Sequence, residues 1–192
     1  MKKNSLSQRL LTITDHITSN DNIIVDVGSD HAYISIYCLL YKGTSYAYNI
    51  ENKQKPFERT VDNINKYNLN NKCLNIFADG LKTDLIKKPI DYCIISGMGD
   101  KNITNIIKNR NNNIKINEYI IVSNDNPITL RGYLKETNMR VSFEDVIIES
   151  HKNKNLYFFL TIISDKGINV KTINDIDYGP HNLKEKSNRF KM

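Results

Sequence analysis

The sequence predicts an α/β fold, a mostly parallel seven-stranded sheet that ends in a C-terminal β-hairpin. Three observations predict it. Short β-rich runs alternate with helical periodicities over five strands, the pattern of a doubly wound parallel sheet. Two more β-rich runs follow with no helix between them, joined only by a polar turn. Acidic or glycine-bearing turns recur at the strand ends, where sheets of this kind hold their ligands.

The elements follow in order. Leu6, Leu10, Ile13 and Ile17 recur at helical spacing, with Ser5 as the expected cap. Asn20-Asp21-Asn22 breaks that pattern, and 23–27 reads as a buried strand ended by Gly28. A helix over 31–41 closes at Lys42-Gly43. A strand over 46–50 leads to Glu51, and a helix over about 56–67 begins with proline. Strands over 74–77 and 92–95 come next, followed by Ala78-Asp79-Gly80 and Ser96-Gly97-Met98-Gly99. Residues 102–108 read as helix, 119–122 as strand and 128–136 as helix. The hairpin strands are 140–148 and 156–163, with a polar turn over 151–155. After Asp165 the chain turns polar, and no further core element is predicted.

The chain has 192 residues, enough for one domain, or one with an appendage, to bury its own core. Hydrophobic residues at 40% and charged residues at 25% are ordinary for a globular chain. No apolar run approaches the ~18 residues of a membrane span, and the polar first residues lack a signal-peptide stretch. A cytoplasmic, monomeric protein is expected. Cys38, Cys73 and Cys93 lie 35 and 20 residues apart, and His16, His31, His151 and His181 are scattered. A zinc cluster needs closer spacing, so reduced, buried thiols and no metal are expected. Heavy use of Asn, Ile and Lys suits an AT-rich genome.

The net charge of +6 is uneven. Residues 1–150 carry 19 basic and 17 acidic side chains, whereas 151–192 carry 8 and 4. A second basic stretch, 101–115, holds Lys101, Lys108, Arg110 and Lys115 without an acid. Such patches permit a polyanionic partner such as RNA, and equally a solvated lysine-rich surface.

The strand ends carry the chemistry. After the first strand stands Asp26-Val27-Gly28-Ser29-Asp30-His31-Ala32. This is not G-x-G-x-x-G, because Asp30 takes the place of the second glycine. A carboxylate there would repel a pyrophosphate at the helix start, which argues against a nicotinamide-dependent dehydrogenase. It would favour a cationic ligand such as S-adenosylmethionine (SAM), with its sulfonium and ammonium. Glu51 lies 23 residues past Gly28, near the ~20 expected of an acid that accepts both hydroxyls of a ribose. Asp79-Gly80 can accept from an adenine amine and let it approach the backbone, or it is a simple turn. Gly97-Met98-Gly99-Asp100 would lie beside the reactive end of such a ligand, and its glycines admit a flat base. The hairpin that closes the sheet points the same way, to the Rossmann-like arrangement of SAM-dependent methyltransferases.

These residues resemble a known family, the bacterial TrmK-type tRNA (adenine-N1)-methyltransferases, which modify adenosine 22 in the D-arm. The shared segments are Leu6-Ser7-Gln8-Arg9-Leu10, Val25 through Tyr33, Gly80-Leu81 and Gly97-Met98-Gly99. Leu130-Arg131, Tyr157 and Gly179-Pro180-His181 extend the likeness along nearly the whole chain. The resemblance implies a SAM-binding domain over 1–165, with cofactor contacts at Asp26, Gly28, Glu51 and Asp79. Asp30, His31, Gly80 and Gly97 complete the expected cofactor set. It places the target adenine near Gly97-Met98-Gly99 and Asn124, with Tyr33 available to stack. Asn124 or Asp100 would accept from the exocyclic amine, and Lys101, Arg110 and the Lys184–Lys191 stretch would meet phosphate. Residues 166–192 are expected to be a basic remnant of the family's helical C-terminal domain. Two motifs depart from the family, which usually has glycine where this chain has Asp100, and Gln-Pro before Asn124 where it has Val122-Ser123. The alternatives are a SAM methyltransferase acting on a small molecule and an eroded relative that binds SAM or RNA without turnover.

Overall fold

Strands buried on both faces read as continuous apolar runs, and the centre of this sheet shows it. Ile24, Val25, Ile94, Ile95, Ile120 and Ile121 are all fully buried although they alternate in direction. The computed structural model describes residues 6–152 and 154–185. The parallel strands are β1 (Ile23–Val27), β2 (Tyr46–Glu51), β3 (Cys73–Phe77), β4 (Ile90–Met98) and β5 (Ile116–Ser123). The hairpin of β6 (Arg140–His151) and β7 (Lys154–Ser164) adds the two antiparallel strands. The order is β3-β2-β1-β4-β5-β7-β6, a mostly parallel seven-stranded sheet closed by the hairpin, as the sequence predicted.

Helices cover both faces. α1 (Gln8–Asp15), α2 (Tyr33–Tyr41) and α3 (Gln54–Lys66) pack one face through Ile13, Ile36 and Ile64. α4 (Asp100–Lys108) and α5 (Ile128–Lys135) pack the other through Ile103, Ile107, Leu130 and Leu134. Chain order reverses between β1 and β4, and the crevice at their carboxyl ends is where such a sheet binds ligands.

Local details differ from expectation. Ser7 caps α1 by accepting from the Leu10 amide, while Ser5 lies outside the described residues. α2 begins at Tyr33, because Ala32 adopts φ 53° and breaks the turn that 31–32 would have started. The hairpin strands are longer than predicted. Asn153 in their turn, and residues 186–192 of the basic tail, lie outside the described residues.

The chain past Asp165 is not merely a polar tail. Val141 and Ile168 exchange backbone hydrogen bonds of 2.9 and 2.7 Å, and Val170 is buried in the core. α6 (Ile173–Tyr178) opens with a capping box from Thr172 and Asp175. α7 (Pro180–Glu185) buries Pro180 and Asn182. Two helices of 6 residues carry too few apolar positions for periodicity to reveal them. Cys38, Cys73 and Cys93 are buried free thiols, and burial pushes Cys73 up to about 12. Among the described residues no helix is long and apolar enough to cross a membrane.

Candidate functional site

The crevice is a cleft of two lobes that share Gly28, Glu51 and Met98. One lobe, about 580 Å³, is lined by Asp79, Gly80 and Ile106. The other, about 620 Å³, is lined by Arg9, Asp26, His31, Tyr33, Ser96 and Gly97. Met98 divides them. Its Cε stands so close over Gly28 that a Cβ there would overlap it. Gly28 also needs its φ of 74°, which side chains rarely adopt.

The loop after β1 holds three left-handed residues, Gly28, Asp30 and Ala32. Alanine tolerates this poorly, so the loop is strained and must be held from outside. The Asp30 amide donates to Glu51, the Asp30 carboxylate pairs with Arg59 of α3, and Thr60 donates to the Asp30 carbonyl. The charge of Asp30 is thus met by Arg59 and is not offered freely to a cationic ligand. Sequence reasoning missed Arg59 because only the tertiary fold brings it there.

Asp26 is the acid left without a partner. It is 3% exposed, and no described residue donates to it. Burial first, and the charge of Glu51 second, push its carboxyl up to about 7. Glu51 is also raised by burial, against the backbone donors Asp30 and Asn52. Asp79 is exposed, and Lys82 holds its carboxyl below the usual carboxylate range.

The loops after β4 and β5 cap each other's helices. Asp100 accepts from the amides of Thr129 (2.6 Å) and Leu130 (2.9 Å) at the start of α5. Asp125 accepts from the Asp100 amide at the start of α4 (2.6 Å). Asn124 donates its backbone amide to Met98 and its side-chain amide to the Gly97 carbonyl (3.0 and 3.1 Å). Its exposed Oδ1 remains as an acceptor beside Gly97, although neither Asn124 nor Gly99 lines either lobe. Asp100 is 4% exposed and turned into the cap, so it does not face the cleft as a proton acceptor. Asp100→Ala is expected to cost about 1–2 kcal/mol of stability, visible as a lower urea midpoint. Asp100→Asn, which keeps one acceptor, is expected to cost less.

Two other expectations separate here. Tyr33 is 42% exposed and stacks on His31 at 5.0 Å, on the wall of the second lobe. Arg110 is not at the cleft. α4 carries the chain about 14 Å back along the sheet, so Arg110 lies beside Ile116 at the start of β5. Lys101, at the cleft end of α4, is exposed but lines neither lobe. Arg9, which the sequence offers only as part of the Leu6–Leu10 motif, lines the second lobe.

A doubly wound sheet with a closing hairpin, and a two-lobed cleft with acids at successive strand ends, define a nucleoside-binding transferase architecture. Residues 6–160 match the family described as "Methyltransferase domain". The tRNA (adenine(22)-N(1))-methyltransferase of Bacillus subtilis (strain 168) is 30% identical over 151 residues, 78% of this chain. The chain spans 62% of that relative's length. The structure of M. capricolum TrmK in complex with S-adenosyl-homocysteine is 31% identical, with a TM-score of 0.80 over 91% of this chain and 75% of that one. The B. subtilis M1A22 tRNA methyltransferase TrmK is 26% identical, with a TM-score of 0.79 over 97% and 80%. The chain belongs to the methyltransferase-domain family and, within it, to the TrmK group.

Proposed function

We propose that this protein transfers a methyl group from SAM to N1 of an adenosine in tRNA, at position 22 of the D-arm, in the cytoplasm. The observation that carries the reading is the two-lobed cleft, with Asp26, Glu51, Gly97 and Met98 on its walls, in a chain similar to tRNA (adenine(22)-N(1))-methyltransferases.

The residues fit SAM. Asp26, a buried carboxylate without a donor, suits a cation. Glu51 accepts from the backbone of Asp30 and Asn52, and its two oxygens keep acceptor capacity for a ribose. Gly80 and Ile106 line the lobe for a flat base. When bound, SAM supplies a methyl group on a positively charged sulfur.

The protein's own work is positioning. Neutral adenine N1 presents a lone pair, so no base is needed before it reacts. Holding two reactants in line can lower a barrier by ~7–11 kcal/mol. A paired adenine must first leave its helix, at a cost of a few kcal/mol, and Tyr33 gives it a stacking face. Asn124 Oδ1 accepts from the exocyclic amine, whose proton leaves after transfer. Its orientation is fixed because its amide is already bound to Gly97. Glycine replaced by Asp100 does not obstruct this, since that carboxylate caps α5.

Unmodified tRNA incubated with the protein and labelled SAM is expected to yield 1-methyladenosine in nucleoside mass spectrometry. Binding should weaken with salt at a slope of about one per phosphate contact. Label found only in small metabolites would overturn the tRNA substrate. Tight SAM binding without turnover on any tRNA would mark an eroded relative.

A further inference from the structure

The side chain of Arg9 reaches the site. Arg9 is the second residue of α1 and lines the same lobe as Asp26. Its Nε is buried and has no hydrogen-bond partner. Such an atom is costly to leave unpaired, and it points to a missing acceptor. The residue is held in place at two points. Its guanidinium lies 4.6 Å over the ring of Phe158, and its backbone amide donates to Glu149 at 2.6 Å. Nη1 lies close to Gly97, at the end of β4.

The other cations near the lobe are differently placed. Arg59 is paired with Asp30, and Lys53, which also lines this lobe, is exposed before α3 and has no buried nitrogen left unpaired. The lobe therefore holds one buried carboxylate without a donor and one guanidinium with a buried nitrogen lacking an acceptor. Asp26 and Arg9 do not pair with each other. Opposite charges kept apart in one lobe are complementary to a zwitterion.

We propose that Arg9 binds the carboxylate of SAM's amino-acid end, opposite the ammonium that Asp26 receives. This rests on the reading of the cleft as a SAM site. A planar guanidinium is suited to a carboxylate, which it can meet with two parallel hydrogen bonds. A phosphate of the target RNA is the other oxyanion within reach. The buried Nε and the shared lobe with Asp26 favour the cofactor.

The test compares two ligands by calorimetry on the full chain. They are SAM and decarboxylated SAM, which keeps the amine and sulfonium and lacks only the carboxylate. The ratio of their affinities is expected to fall by about 10- to 100-fold in Arg9→Gln, with binding of the decarboxylated ligand nearly unchanged. Arg9→Lys keeps the charge and the contact with Phe158, and is expected to give an intermediate ratio. Thermal melts of both variants report folding, and the lysine variant carries the test if the glutamine variant fails to fold. Equal weakening of both ligands would overturn the proposal, as would unchanged SAM affinity. Unchanged SAM affinity with weakened tRNA binding would assign Arg9 to phosphate instead. A wild-type chain that binds neither ligand would overturn the SAM site and this inference together. A collapsed ratio without tRNA methylation would leave the inference standing and remove only the substrate.

Discussion

Asp26→Asn is expected to lower SAM affinity by about 100-fold or more while raising the melting temperature of the ligand-free protein. Both effects come from one buried carboxylate. Losing one partner of a buried charge pair costs ~2–5 kcal/mol of binding, and Asp26 is the acid that meets the ligand's positive charge. In the free protein the same acid is a burden, since burial and Glu51 push its carboxyl up to about 7. The folded state then keeps a proton that the unfolded chain loses near pH 4. As pH rises from about 4 to about 7 the unfolded state is favoured, and folded stability falls by an amount on the order of 2–4 kcal/mol. Asparagine carries no charge and escapes this loss. Its advantage should be small near pH 4, grow through neutrality and level off above pH 7, reaching roughly 5–10 °C. Thermal melts across pH, paired with calorimetry, check both halves. A variant that loses binding without gaining stability at pH 8 would show that Asp26 is already satisfied in the free protein.

Arg131→Ala is expected to destabilise the protein by about 3–5 kcal/mol. Arg131 and Glu144 form an ion pair of 2.8 Å with side chains 2% and 1% exposed. The same guanidinium donates to Asn126 Oδ1 (3.0 Å) and to the Ile176 carbonyl (3.1 Å). Glu144 also accepts from the His181 amide at 3.1 Å. The pair thus ties the loop that carries Asn124 to α6 and α7. Removing Arg131 leaves a buried carboxylate, already raised by burial, without its cation. The double variant Arg131→Met with Glu144→Leu should recover part of the loss, because no charge is then stranded. It should not recover all of it, since the His181 amide still lacks an acceptor. Urea unfolding of the single and double variants decides this.

Those two residues illustrate what was legible beforehand. Asp26 stands at the end of an apolar run, before glycine, and its position there follows from local pattern. Arg131 was visible only within a shared Leu-Arg pair. Its role needs Glu144, Asn126 and the carbonyls of α6, which come together only on folding. Asp30 and Asp100 show the same limit. The sequence offers two acids at strand ends, and the fold gives one to Arg59 and the other to the amides of α5. Arg110 shares a basic stretch of sequence with Lys101, yet α4 carries it to the opposite end of the strands, beside Ile116.

Periodicity, glycines and strand-end acids by themselves determined the doubly wound sheet, its closing hairpin and the crevice where a nucleoside ligand belongs. Those features depend on residues a few positions apart, whose backbone preferences and burial act locally. Only the tertiary structure decided which charges remain available in that crevice. Arg9 is pinned to Glu149, 140 residues away in sequence, and Asp26 is left unpaired because no donor reaches it. Partner choice at such distances is set by how helices and strands pack, and no local pattern encodes it.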